Sequence, residues 1–312
     1  KGWIPFLDKE VTNVPVAPPT QKALFGYGLT GSTALSMTNI VSSSGVVAAD
    51  VTGVGTARWY IAATCYGGDK AIFAYGKSSA SDYVSMSNLV NNSGAVATDT
   101  TGVGTARRML AGAKYSTDKA IFAYGSTGSV VSMSNLVSSS GVVASDVTGV
   151  GTARWQPSAA GYGTDKAIFG YGYTSGKVSM TNLISNIGVV AADVTGVGTA
   201  RTALAAAGYG GDKALFGYGD HTSAGNYGGT NLVSNTGVVA ADVTGVGTAR
   251  SDLAAASYGG DKAIFGYGYD SSGSPIVSYT NLVNNSGVVA TDVTGVGTAR
   301  YVLDAAGFSF SA

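Results

Sequence analysis

The chain has 312 residues, 45% of them hydrophobic, 47 of them glycine and only 12% charged, the composition of a weakly charged, β-rich protein. Eighteen basic residues balance eighteen acidic ones with no Lys/Arg run, so no long-range field draws the chain to nucleic acid or to an anionic bilayer. The lone cysteine, Cys65, has no companion for an intramolecular disulfide or a thiolate metal site, and a single histidine, His221, excludes a three-histidine zinc centre.

Residues 1–21 differ in kind from the rest of the chain. They hold four of the six prolines, Pro5, Pro15, Pro18 and Pro19, and an apolar cluster of Trp3, Ile4, Phe6 and Leu7. This reads as an extended arm or linker that docks onto protein partners in a larger assembly. Lys1 opens no basic-then-apolar leader pattern, and no apolar run approaches the roughly 18–20 residues of a membrane helix, so membrane insertion is not expected.

From residue 22 to 312 the chain repeats itself. The string Gly-Thr-Ala-Arg ends at Arg58, Arg107, Arg154, Arg201, Arg250 and Arg300, at spacings of 49, 47, 47, 49 and 50 residues. A second landmark, Lys-Ala-(Ile/Leu)-Phe-(Gly/Ala)-Tyr-Gly, opens at Lys22, Lys70, Lys119, Lys166, Lys213 and Lys262. A third is an asparagine, at Asn39, Asn88, Asn135, Asn182, Asn231 and Asn281, and it precedes the next repeat arginine by 19 residues in all six copies. Length varies only between the Lys-Ala landmark and the asparagine.

Each unit predicts four short antiparallel strands, because its apolar runs are bounded by Gly, Asn, Ser and Asp. In one unit these are Leu204 to Tyr209, Lys213 to Tyr218, Gly229 to Ser234 and Val238 to Val243, with turns at Gly210-Gly211-Asp212 and Asn235-Thr236-Gly237. The chain begins its first unit on a second strand and ends on a first strand, Val302 to Phe308. The expected fold is therefore an all-β, six-bladed β-propeller of four-stranded antiparallel blades, its ring closed by N-terminal strands 2–4 joined with C-terminal strand 1. Alanine-rich first strands suit a crowded axis.

The units resemble the kelch-type propeller repeat, in which an arginine precedes an alanine-rich strand 1, a glycine turn follows, and strand 2 ends in a glycine pair. Here those features are Arg201, Leu204 to Gly208, Gly210-Gly211 and Gly217-Tyr218-Gly219, with the adjacent glycines replaced by Gly-Tyr-Gly and the usual strand 4 tryptophan by Val238-Val239. The wording of the repeat also looks like repeats in structural proteins of tailed bacteriophages. That resemblance implies a virion or an extracellular, cell-surface location and a binding or structural role.

The repeated aspartates Asp50, Asp99, Asp146, Asp193, Asp242 and Asp292 each stand eight residues before an arginine, Arg58, Arg107, Arg154, Arg201, Arg250 and Arg300. They are expected to brace their own glycine-rich loop or the neighbouring blade, in preference to forming a charged ring at the axis. The asparagines are expected to satisfy backbone groups. Tyrosines of Gly-Tyr-Gly and the phenylalanines two residues before them are expected to pack blade on blade.

The copies differ from one another in two places, the loop between strands 2 and 3 and the pair of residues after each arginine. In an antiparallel blade both emerge at the same end. This predicts one variable face carrying Trp59, Tyr60, Tyr83, Trp155, Tyr173, His221, Tyr227, Tyr269, Asp270 and Tyr301, suited to a receptor protein or a glycan. The other readings are a purely structural capsid or tail decoration protein and a secreted lectin-like propeller. Catalysis is not expected: an active site is one asymmetric constellation, whereas the framework aspartates recur in every unit, and Cys65 reads as drift from the glycine of sister copies Gly161 and Gly208. No cofactor and no metal are expected.

Overall fold

The computed structural model describes residues 21–79, 81–221, 225–271 and 275–309. The expected arm, apart from Gln21, lies outside the described residues, and Gln21 itself belongs to a strand, not to the arm. Every regular element is a β-strand.

Six three-stranded antiparallel sheets carry the repeat frame. Five are continuous in sequence: Ala62–Tyr66 with Lys70–Ala74 and Ser87–Val90, Ala111–Tyr115 with Lys119–Ala123 and Ser134–Val137, Ser158–Tyr162 with Lys166–Gly170 and Thr181–Ile184, Ala205–Tyr209 with Lys213–Gly217 and Thr230–Val233, and Ala254–Tyr258 with Lys262–Tyr269 and Ile276–Val283. The sixth joins the two ends of the chain. Asp304–Ser309 pairs along Gln21–Gly26, from Gln21 opposite Ser309 to Gly26 opposite Asp304, and Gln21–Gly26 pairs with Thr38–Val41.

Where the sequence predicts a fourth strand, the chain makes only two isolated bridges to the third. In one unit these are Val233 to Val239 and Thr230 to Val243, and the other five units repeat them. Val238, just before the first bridge, is 65% exposed, and Ala240, Ala241 and Asp242 between the bridges are exposed as well.

The first strands pack on one another in an unbroken cycle. Ala62–Tyr66 touches Ala111–Tyr115, and contact continues through Ser158–Tyr162, Ala205–Tyr209 and Ala254–Tyr258 to Asp304–Ser309, which touches Ala62–Tyr66 again. Their alanines and glycines leave room for this approach. Backbone hydrogen bonds also link the units: Met109 N–H donates to Tyr60, Gln156 to Met109, Asp252 to Ala203, Val302 to Asp252 and Tyr60 to Val302. At the opposite end, turn amides such as Gly163 N–H donate to the Asp carbonyl of the next unit, here Asp212.

Between adjacent sheets lies the core. Each Gly-Tyr-Gly tyrosine is buried and packs against the phenylalanine of the next sheet, with ring centroids 5.0 to 5.6 Å apart, and Tyr267 closes the series on Phe25. The expected sheet-on-sheet role of these rings is what the structure shows. All six tyrosines have positive φ, between 62° and 65°, a strained conformation for a non-glycine residue. The tyrosine N–H and the following glycine N–H are both bonded, Tyr171 to the Met180 carbonyl and Gly172 to the Arg201 carbonyl. That accounting holds the turn.

A buried arginine fills each seam. All six repeat arginines are fully buried. Arg154 stacks its guanidinium 4.1 Å from the Tyr124 ring of the preceding sheet, while Nη2 donates to Asn182 Oδ1 of the following sheet at 2.6 Å and Nη1 to the Thr152 carbonyl at 3.1 Å. Asn182 Nδ2 donates in turn to Asp193 Oδ1 and to the Ala191 carbonyl. Asp193 accepts from the N–H and hydroxyl of Thr152. The expected brace is real, but its partner is the neighbour's: Arg154 lies 3.9 Å from Asp193, and Asp146, eight residues before it, lies 3.9 Å from Arg107. Arg300 likewise meets Asp50 at 3.8 Å, and Arg58 donates to Asn88, whose Nδ2 donates to Asp99. Sequence separation misleads here because the loop runs away from its own aspartate into the next sheet. Gly151 sits inside this network with φ +76°, and a Cβ there would lie 2.5 Å from Asn182 Nδ2 and from Asp193 Oδ1.

Arg154→Ala strips one seam of its charge-assisted bonds and opens a cavity against Tyr124. The expected cost is about 3 kcal/mol, read as a lower urea midpoint at unchanged slope. Arg154→Lys is expected to recover only part of it, since a point ammonium replaces the planar guanidinium that both stacks and donates. A loss below about 1 kcal/mol for the alanine variant would contradict the seam's importance.

Candidate functional site

The two regions where the copies differ are hydrogen-bonded to each other. The residue after each arginine bridges to the first residue of its own strand 2 to strand 3 loop: Tyr301 to Leu29, Trp59 to Lys77, Arg108 to Ser126, Trp155 to Tyr173 and Ser251 to Tyr269. Thr202 pairs with Asp220 in the same way within a short ladder. The returning side of each loop adds a third position, Tyr83 beside Lys77, Val130 beside Ser126, Lys177 beside Tyr173 and Asn226 beside Asp220. One end of the molecule is thus edged by six small triplets whose backbones match and whose side chains do not.

Most of the expected face residues lie on these triplets. Trp155 and Tyr173 meet edge to face with ring centroids 5.3 Å apart. Tyr269, 40% exposed, and Tyr301 lie 6.1 Å apart across a seam, and Tyr301 Oη donates to the Gly31 carbonyl. His221 and Tyr227 rings are 6.2 Å apart. Lys177 and Asp220 form a 2.7 Å ion pair between neighbouring units, and Asn226 Nδ2 donates to the Tyr269 carbonyl. Trp59, Tyr60 and Tyr83 are half-buried around two cations, Lys77 and Arg108.

Asp270 departs from the expectation of a displayed residue. It is 7% exposed, and its carboxylate accepts from the Tyr279 hydroxyl at 3.1 Å, so it holds its loop from within. The framework aspartates and arginines do not line the axis, and no charged ring forms there.

What lines the axis instead is a cavity of about 100 Å³ under the variable end, walled by all six first strands. The second residue after each arginine forms its rim: Tyr60, Met109, Gln156, Ala203, Asp252 and Val302, all with φ between 48° and 57°. Gln156 Nε2 reaches across to donate to Asp252 Oδ1 at 2.9 Å, and Thr202 Oγ1 donates to Gln156 Oε1 at 3.3 Å. Burial, with the charge of Asp220 adding to it, pushes the Asp252 carboxyl up to about 7, against the bond from Gln156. Asp304 also lines this cavity, and its Oδ2 accepts the N–H of Ala63 in the next sheet at 2.7 Å. Burial raises its carboxyl to about 7 although the N–H groups of Ala305 and Ala63 oppose the shift.

Sequence reasoning passed over Asp304, Lys77 and Arg108 as site residues. For Asp304 the signal was present: sister copies carry Ala62, Ala111, Ser158, Ala205 and Ala254 at that place. Cys65 faces a second axial cavity, and burial raises its thiol above the ordinary value. Among the described residues no group of three or more His, Cys, Asp or Glu side chains is placed to hold a metal ion, and no helix is long and apolar enough to cross a membrane. No protein-family model matches the chain, and no curated protein is significantly similar to it.

The raised carboxyl of Asp304 has a measurable sign. Between pH about 4 and about 7 the unfolded chain has already released a proton that the folded chain still holds, so this residue's contribution makes stability fall as pH rises. Asp304→Asn keeps an acceptor for Ala63 and removes the ionisation. Its melting temperature is expected to exceed that of the parent at pH 8 and to match it at pH 4, and equal shifts at both pH values would refute the assignment.

Proposed function

We propose that the six sheets are the blades of a closed β-propeller that works as a non-enzymatic recognition module, its variable end presented to a host receptor or glycan. The closure is supported by pairing of the two chain ends in one sheet and by the cycle of first-strand contacts. The recognition reading rests on one observation. At six backbone-equivalent edge positions the side chains are Trp59, Arg108, Trp155, Thr202, Ser251 and Tyr301, whereas the seams beneath them repeat the same Arg, Asn, Asp and Tyr. A rigid scaffold with unlike groups on one end is how loop-borne binding sites are built.

The wording of the repeats supports a location for such a module in the tail or fibre of a bacteriophage virion, with residues 1–20 as the link to its protein partners. A purely structural decoration role draws on a different surface, the outward edge where Val46, Val142, Val238 and Val288 are each more than 60% exposed. The two readings separate by mutation. The triple variant Trp59→Ala, Trp155→Ala, Tyr301→Ala is expected to keep the circular dichroism of the parent and to lose most adsorption to bacterial cells and to a printed saccharide panel. Undiminished adsorption would sink the recognition reading and leave decoration.

A further inference from the structure

One seam of the variable end brings two cations together among aromatic rings. Lys77 Nζ lies 5.6 Å from the ring centroids of both Trp59 and Tyr83. The Arg108 guanidinium lies 5.3 Å from Tyr83 and 5.7 Å from Tyr60, so the Tyr83 ring is shared by both cations. Burial lowers the Lys77 ammonium pKa and the charge of Arg108 lowers it further. Among the described residues Arg108 forms no salt bridge, its side chain donates no hydrogen bond, and its Nε is buried without a partner.

Aromatic faces hold cations by the ring quadrupole without cancelling their charge. The charge of Arg108 is kept in this way, and a guanidinium whose N–H groups make no hydrogen bond among the described residues presents the fork that a planar anion fits. Of the acids beside this seam, Asp252, which acts on Tyr60, accepts a hydrogen bond from Gln156, and Asp82, on the Tyr83 loop, accepts one from Ser79. The half-buried ring of Trp59 in the same seam offers an apolar face of the size of one sugar ring.

We infer that this seam binds an acidic saccharide, its carboxylate or sulfate held by Arg108 and its ring laid against Trp59. The inference rests on the recognition reading above and names the ligand class for one part of that face. Carboxylate and sulfate share the charge and the fork-accepting oxygens, and the experiment tells them apart.

Calorimetric titration of the full chain with 3′-sialyllactose, a chondroitin sulfate tetrasaccharide, neutral lactose and inorganic sulfate tests it. At least one of the two acidic saccharides is expected to bind, and lactose and free sulfate to bind at least about tenfold more weakly. Arg108→Gln is expected to weaken the acidic ligand by about tenfold or more and to flatten its salt dependence, Arg108→Lys to weaken it less, and Trp59→Ala to weaken saccharide but not sulfate. Circular dichroism of Arg108→Gln must match the parent, and Arg108→Lys, which keeps the charge, carries the test if it does not. Lactose or free sulfate binding as tightly as both acidic saccharides, failure of both to bind, or an unchanged affinity in the Arg108 variants would overturn the inference. Cell adsorption lost in the triple aromatic variant would then still uphold recognition by the face as a whole.

Discussion

A guanidinium taken wholly out of water is the constraint on which the rest of the molecule depends. Six arginines are fully buried, and desolvation lowers the pKa of each, as for Arg154 and Arg250. Burying a charge is tolerable only where bonds and countercharges meet it. Here each meets a tyrosine face from one sheet, an asparagine oxygen from the next, a threonine carbonyl from its own loop and, in five seams, an aspartate at 3.8 to 4.0 Å. The aspartates are held in turn. Burial alone would raise the Asp193 carboxyl, but bonds from Thr152 and Asn182 and the charge of Arg154 outweigh it and keep it below the usual range. No sheet can satisfy its arginine alone, so each sheet specifies its neighbour. The last seam, Arg300 with Asn39 and Asp50, does this across the two ends of the chain.

Such a seam also explains why so little else need be identical. Below the variable end, apart from the arginine network, units are joined by Tyr–Phe ring contacts and by small residues at the axis, and at the variable end the repeated link is a main-chain belt. Loop length there is free to run from the eight-residue span 126–133 to the eleven-residue span 269–279 without disturbing the register below.

Much of this was legible in the sequence, and the reason is repetition. Six copies at near-constant spacing show which intervals are held fixed, and the half-unit at each end predicts the pairing of Gln21–Gly26 with Asp304–Ser309 that the structure contains. Buried tyrosines and phenylalanines were legible for the same reason. The fourth strand was not, because Val238 to Val243 has the composition of a strand while its backbone meets the third strand only at Val239 and Val243. Nor was the partner of each aspartate, since an eight-residue separation looks local and the actual contact, Asp146 with Arg107, spans two sheets. The site was legible only as a region. That Trp59, Tyr83, Lys77 and Arg108 meet depends on which edge of one unit faces which edge of the next, a relation that no single unit's spacing contains.

The second residue after each arginine shows how variation and strain coexist. Tyr60, Met109, Gln156, Ala203, Asp252 and Val302 all adopt a left-handed backbone that a β-branched residue such as Val302 tolerates poorly. A site that needed this conformation for its side chain would be expected to settle on glycine or asparagine. Instead the backbone is held from outside: five of these residues donate their N–H to the carbonyl of the equivalent residue in the preceding unit, a belt that passes round the axis and is open only between Gln156 and Ala203. Since the belt uses main-chain groups alone, it constrains conformation without constraining chemistry. Side chains as unlike as Met109 and Asp252 can therefore occupy equivalent strained positions. The same division, with main chain fixing geometry and side chains left to differ, holds for the outer triplets that pair Trp59 with Lys77 and Arg108 with Ser126. An end assembled on that principle can place two cations and three aromatic rings in one seam while the frame beneath remains unaltered.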